Sequence, residues 1–174
     1  MTEKAKKIKM IVFDIDGTLT DGSIIIDSNG NESKKFSVKD GFAIAQAVLN
    51  GIICVIITGR ESEVVKIRAS ELKITEVYQG IKEKAVKIRE VAQKYNIKLE
   101  ETAYFGDDIN DLPAFLIAGF KGTTADGAEE LKEKADFISN KSGGNGAGRE
   151  FVQFILSAQG IWEKIIKKYS GKSE

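Results

Sequence analysis

Apolar residues along the chain gather in short runs of strand length, separated by longer stretches whose apolar positions recur every three to four residues. Ile8–Phe13, Ile52–Ile57, Val77–Gln79, Ala103–Phe105 and Phe137–Ile138 are such runs, and their apolar continuity predicts strands buried on both faces. Between them the pattern predicts a helix over Asp40–Asn50, with Asp40 as N-cap and Gly51 just past its end. A second helix is predicted over Lys82–Tyr95, with Ala85, Ile88, Ala92 and Tyr95 on one face and the pairs Glu83/Lys87 and Glu90/Lys94 outside. The region from Glu150 to Tyr169 is helical in period and interrupted at Gly160. Strand, helix, strand in repetition predicts an α/β fold, an open parallel sheet covered by helices.

Two segments break the rhythm. In Ser23–Phe36, two short extended arms flank Asn29-Gly30, a pair suited to a tight type I′ turn, and predict a β-hairpin projecting from the first strand. The Gly-rich run Ser142–Glu150 precedes a hydrophobic helix and reads as an ordered loop, with its glycine-dense part over 142–148.

At 174 residues, with 42% hydrophobic composition and no internal repeat, residues 1–174 read as one domain. Lys+Arg and Asp+Glu balance at 26 each, so no global field draws the chain to nucleic acid or an anionic membrane. No apolar run approaches the roughly 20 residues that span a bilayer, and the start MTEKAKKIK has no signal-like core behind it. A soluble, cytoplasmic protein is the expectation. The single cysteine, Cys54, lies in an apolar run and reads as core. The chain has no histidine, which removes Ser-His and Cys-His catalysis and imidazole metal sites. Carboxylates, Lys, Arg or a hard metal must carry any chemistry.

Ligands of open α/β sheets bind at the carboxyl ends of the strands. The first predicted strand delivers Asp14, Asp16 and Thr18 there, and the second Thr58, Gly59 and Arg60. The loop opening the next long helix delivers Lys84, and the fourth strand delivers Asp107, Asp108 and, one helical turn on, Asp111. Several carboxylates in one place repel unless a cation lies among them, and an oxygen-only ligand set favours a hard ion such as Mg²⁺. Thr58 and the Lys84 ammonium beside them suit an anion, and the combination describes phosphoryl transfer. Residue by residue, plainer readings exist: a strand end before a Gly turn for Asp14 and Asp16, a surface lysine for Lys84, helix N-terminal charges for Asp107, Asp108 and Asp111, and cover of a helix face for Arg68.

Asp14-Ile-Asp16-Gly-Thr18, Ile57-Thr58-Gly59-Arg60, the lysine of Gln79-Gly-Ile-Lys-Glu-Lys84, and Gly106-Asp107-Asp108-Ile-Asn-Asp111 occur in the order of the four motifs of the haloacid dehalogenase-like phosphatases, which the chain resembles. More narrowly, DGTLTDG, the hairpin, FSVKDGFAI, QGIKEK, GDDINDLP and GGNGAGRE resemble the small capless branch acting on ulosonate phosphates such as 3-deoxy-D-manno-octulosonate 8-phosphate (KDO 8-phosphate), a step of lipopolysaccharide sugar biosynthesis. The resemblance implies a Rossmann-like capless fold with a projecting hairpin. It implies Asp14 as nucleophile, Asp16 as proton shuttle, Mg²⁺ on Asp14, the Asp16 main-chain carbonyl and Asp107, Asp108 acting through water, and Asp111 orienting Lys84.

It also implies substrate contacts from Lys39, Asp40, Gly41, Arg60, Arg68, Lys84 and Arg149. Ala45 departs from the basic side chain several members of the branch carry there. Larger members of the superfamily insert a cap domain where this chain has only the hairpin. By resemblance the hairpins associate into a homotetramer and the Gly-rich tail reaches a neighbouring site. Three rivals stand beside this reading: a phosphatase of nine-carbon ulosonate 9-phosphates, against which Arg60 argues, a general small sugar phosphatase, and a non-catalytic assembly module, which would lack Asp14, Asp16 or Lys84.

Overall fold

The structure is a computed structural model and describes residues 2–171. Six parallel strands form one sheet: β1 (Met10–Phe13), β4 (Ile53–Ile57), β5 (Glu76–Tyr78), β6 (Thr102–Gly106), β7 (Phe120–Thr123) and β8 (Phe137–Ile138), in the order β5-β4-β1-β6-β7-β8. β1 lies at the centre, with Val12 in register with Val55 on one side and Tyr104 on the other. The small antiparallel ribbon of β2 (Ile25–Ile26) and β3 (Glu32–Ser33) is the predicted hairpin. Helices α1 (Thr2–Lys6), α2 (Val38–Leu49), α3 (Glu63–Glu71), α4 (Lys84–Lys94), α5 (Leu112–Ile117), α6 (Glu129–Lys132), α7 (Ala147–Ala158) and α8 (Ile161–Tyr169) complete the chain. Among the described residues, no helix is long and apolar enough to cross a membrane.

Alternation along each strand divides the core in two. Ile11, Phe13, Ile56, Phe105 and Phe120 face α1, α2, α3, α7 and α8, while Met10, Val12, Val55, Ile57 and Tyr104 face α4, α5 and α6. Phe151 of α7 stacks on Phe105 at 4.6 Å between ring centroids and on Phe120 at 5.6 Å. Cys54 is buried, and desolvation alone pushes its thiol up to about 12, which keeps it unreactive.

Several local expectations are corrected. The chain turns into α2 at Ser37, whose side chain accepts the Asp40 amide hydrogen bond, so Ser37 is the N-cap. Asp40 instead accepts the Arg149 backbone N–H at 2.7 Å and caps α7, whose own N-cap residue, Gly146, has no side chain to do so. The hairpin turn has positive φ at Gly30 and not at Asn29, with Gly30 N–H donating to the Asp27 carbonyl and Asp27 N–H to that of Asn31. This is the three-residue connection closed by a left-handed glycine, not a type I′ turn. On α4 the expected i,i+4 pairs give way to other partners: Lys87 pairs with Glu90, and Lys94 reaches Glu76 at 2.6 Å. β7 has no counterpart among the predicted strands.

The Gly-rich loop before α7 lies on its own chain's 17–20 loop. Gly144 N–H donates to the Thr18 carbonyl and Gly143 N–H to Asp126 Oδ1. A Cβ on Gly143 would stand 1.8 Å from the Gly17 carbonyl oxygen, so the two backbones touch only because no side chain intervenes. Gln159, at the end of α7, donates to the carbonyls of Ala5 and Ile8 and ties that helix to the entry of β1.

Glu76 enters β5 at the end remote from the strands' carboxyl termini. Burial raises its pKa, but hydrogen bonds from Lys94, Tyr78 and Tyr95 overcome that and hold it at about 2, against 4.5 unperturbed. A carboxyl lowered in the folded state stabilises above its unfolded value and loses that contribution as pH falls through the folded one. Glu76→Gln is therefore expected to cost about 2–3 kcal/mol at pH 7 and almost nothing at pH 2, read from urea melts at both pH values. Gly143→Ala must part the loop from the Gly17 carbonyl, and a loss of about 1–3 kcal/mol is expected in the same assay.

Candidate active site

Asp14 follows β1 directly; its N–H donates to the Phe105 carbonyl at 3.0 Å, which sets it beside the end of β6. After it the chain coils tightly: the Ile15 carbonyl accepts from the backbone N–H groups of Thr18, Leu19 and Thr20. Gly17 takes φ +90°, and a Cβ there would fall 2.0 Å from Asp107 Oδ2. Glycine at this turn is what lets the loop after β6 approach the loop after β1.

The carboxyl edge then assembles as the four motifs require. Lys84, the first residue of α4, is buried, with Nζ 2.9 Å from Asp14 Oδ1 and 2.5 Å from Asp111 Oδ1. Asp111 accepts from Tyr104 Oη at 2.6 Å, and its other oxygen accepts the Asp107 N–H at 3.0 Å. Thr18 Oγ1 donates to Asp107 Oδ1 at 2.5 Å. Asp14, Asp107 and Asp111 each bring a carboxylate oxygen within 4.8 Å of the others.

This crowding shows in the proton affinities. Desolvation raises Asp14 to about 6, with repulsion from Asp111 adding to it and Lys84 opposing. Desolvation likewise raises Asp107 to about 7, with the Thr18 hydrogen bond lowering it and Asp111, Asp14 and Asp108 raising it. Burial pulls the Lys84 ammonium down, but Asp14 and Asp111 more than offset this and its pKa is raised. When ionised, the three carboxylates and the one ammonium leave two negative charges on this largely buried cluster. A divalent cation offsets that charge, and oxygen donors select a hard one, so the residues present fit Mg²⁺. Both oxygens of Asp111 are already hydrogen-bonded, which leaves Asp14 and Asp107 to face an ion.

The remaining expected residues divide. Asp16 is partly buried, and its carboxylate meets Lys34 Nζ and, at 3.8 Å, Arg60 Nε. Thr58 is buried at the end of β4. Asp108 is exposed and its Oδ1 accepts the N–H of Ile109, at the rim. Gly41 is buried in α2 and Lys39 is exposed beside it. Arg68 contacts Glu71 at 2.9 Å and the Ser37 carbonyl at 3.5 Å, and with Asp40 and Gly41 lines a small apolar cavity. The Arg149 guanidinium lies over Trp162 at 4.5 Å and Phe42 at 5.3 Å, and not on the carboxylates. Tyr104, Lys34 and Glu32 are the residues sequence reasoning missed. Tyr104 is hidden in an apolar strand, and the other two read as ordinary hairpin surface.

A family model described as haloacid dehalogenase-like hydrolase matches residues 61–150. The chain is 39% identical over 157 residues to 3-deoxy-D-manno-octulosonate 8-phosphate phosphatase KdsC of Escherichia coli K12, covering 90% of this chain and 84% of that one. It is 36% identical over 160 residues to the KdsC of Haemophilus influenzae, covering 92% and 89%. Among solved structures, the 3-deoxy-D-manno-octulosonate 8-phosphate phosphatase of Moraxella catarrhalis, in complex with magnesium, phosphate and KDO, superposes with a TM-score of 0.94 at 42% identity over 97% of each chain. The cobalt-bound deoxy-D-mannose-octulosonate 8-phosphate phosphatase of Haemophilus influenzae gives a TM-score of 0.88 at 36% identity, covering 91% of this chain and 93% of that one. Likeness over nearly the whole chain, joined to the carboxylates and buried lysine at the sheet edge, means that the chain belongs to the haloacid dehalogenase-like hydrolase family.

Proposed function

We propose that this chain is a Mg²⁺-dependent phosphoric monoester hydrolase that converts 3-deoxy-D-manno-octulosonate 8-phosphate to the free sugar acid and phosphate, a cytoplasmic step of lipopolysaccharide sugar biosynthesis. The observation that carries the reading is the buried Lys84 bridging Asp14 and Asp111 beside Asp107, in a chain 42% identical to a phosphatase whose structure holds magnesium, phosphate and KDO.

Asp14, the Asp16 main-chain carbonyl and Asp107 hold the ion, with Asp108 beside them at the rim. When bound, the ion offsets the carboxylates' charge and that on the phosphoryl oxygens. An Asp14 carboxylate oxygen attacks phosphorus while the bond to the sugar O8 breaks, and Asp16 gives its proton to that oxygen. Water then attacks the aspartyl-phosphate, Asp16 takes a proton from it, and the bond from phosphorus to Asp14 breaks to release phosphate. Lys84 neutralises charge on the phosphoryl group and keeps Asp14 in line, and Asp111 holds Lys84. Thr58 cradles the phosphate. Arg60, standing at the rim with Asp16, is the nearest candidate for the sugar carboxylate. Contacts from Lys39, Asp40, Gly41, Arg68 and Arg149 to the rest of the sugar acid rest on resemblance to the family alone.

Residues 1–174 act as one catalytic unit. Ile24, Ile25 and Ile26 of the hairpin are 52%, 55% and 59% exposed, an apolar ridge that supports association of hairpins in a homotetramer.

Phosphate release from KDO 8-phosphate, N-acetylneuraminate 9-phosphate, 2-keto-3-deoxynononate 9-phosphate and hexose phosphates tests the reading. The eight-carbon acid is expected to lead in kcat/KM, EDTA to abolish turnover, and Asp14→Asn to lower kcat by about 10³-fold or more. Preference for a nine-carbon acid reassigns the substrate. Slow turnover of every compound, with Asp14→Asn no slower, overturns the enzymatic reading in favour of an assembly module.

A further inference from the structure

The hairpin does more than present an apolar ridge. Its second strand, β3, and the residue after it turn back toward the sheet, and Glu32 and Lys34 meet the loop that carries Asp16. The Lys34 side chain is 1% exposed, and its ammonium lies between the Asp16 carboxylate and Glu32 Oε1, the latter 3.3 Å away. Glu32 Oε1 is in turn held by Arg60 Nη2 at 3.1 Å, and Arg60 Nε stands 3.8 Å from Asp16 Oδ2. Four charges from three chain segments thus close a ring on one catalytic carboxylate.

Such a ring has a geometric consequence. Asp16 lies three residues past the end of β1, at the start of the turn closed by the Ile15 carbonyl, so it lacks the pairing with β6 that fixes Asp14. A proton donor is effective only when its oxygen is held within hydrogen-bond reach of the atom it serves. Lys34, enclosed and matched by two carboxylates, has neither exposure nor spare charge for gripping a substrate phosphate. We propose that Lys34 is a positioning residue for Asp16, and that through it the hairpin, the element standing where larger relatives carry a cap, sets the orientation of the proton shuttle. This rests on the functional reading above.

The test is the dependence of kcat/KM on the leaving group across aryl phosphates from 4-nitrophenyl to phenyl phosphate, under saturating Mg²⁺. This parameter covers the steps up to loss of the alcohol, so water attack on the phosphoenzyme does not enter it. A nitrophenolate leaves with little help, whereas phenolate needs the proton. Lys34→Met is expected to lower kcat/KM for phenyl phosphate by about 10-fold more than for 4-nitrophenyl phosphate, steepening the plot against leaving-group pKa. Lys34→Arg, keeping the charge, recovers part of the shallow slope.

Glu32→Gln, which removes the second anchor and leaves Lys34 against Asp16, shifts the slope the same way by less, and carries the test if Lys34→Met does not fold. A parallel fall for all esters means a purely structural role and overturns the proposal, as does an unchanged slope in the variants that fold. Inactive wild-type protein, or an Asp14→Asn variant as fast as wild type, fails the functional reading instead.

Discussion

Like-charge crowding at the end of the central strand is the constraint on which the rest of the structure depends. Bringing Asp14, Asp107 and Asp111 within 4.8 Å of one another in a buried pocket costs free energy through desolvation and repulsion, and Lys84 offsets only part of it. The fold holds them there by leaving little freedom to separate. Asp14 is fixed by the β1–β6 ladder, Asp111 by Tyr104 and the Asp107 amide, and Asp107 by Thr18. Strain of this kind, stored at a site and stabilised by the packed sheet beneath, is what a divalent cation would relieve on binding.

The same demand explains the glycines around the pocket. At Gly17 and Gly143, backbone passes where a methyl group would collide with Asp107 and with the Gly17 carbonyl. The approach to α7 therefore lies main chain on main chain against the loop after β1, and that loop in turn packs its backbone directly on the Asp107 carboxylate. Rigidity comes from close approach and not from large side chains.

Much of this was legible in the sequence, because continuous apolar runs mark buried parallel strands and the charged residues stand directly after them. Where the reading failed, tertiary contacts decided between locally equal options. Ser37 and Asp40 are both good caps, but only Asp40 lies where α7 begins, so it serves a helix more than a hundred residues away. Lys94 had Glu90 within helical reach and chose the more buried Glu76. β7 escaped notice because Phe120-Lys-Gly-Thr123 offers one large apolar side chain, and its strand character comes from pairing with β6. Tyr104 gave no signal, since one hydroxyl inside an apolar strand reads as core, and Lys34 gave none because a hairpin lysine normally points to water.

The order in which the layers close has a consequence for biosynthesis. β1, made well before α7, has one side of its sheet covered by that helix, whose Phe151 stacks on Phe105 and Phe120 and whose Gln159 donates to the carbonyls leading into the strand. A nascent chain paused before residue 147 already contains all six strands of the sheet but lacks the Phe151 ring that stacks on Phe105 and Phe120. Until α7 is made, that aromatic face lacks its stacking partner, and transiently exposed apolar surface of this kind favours association with other chains.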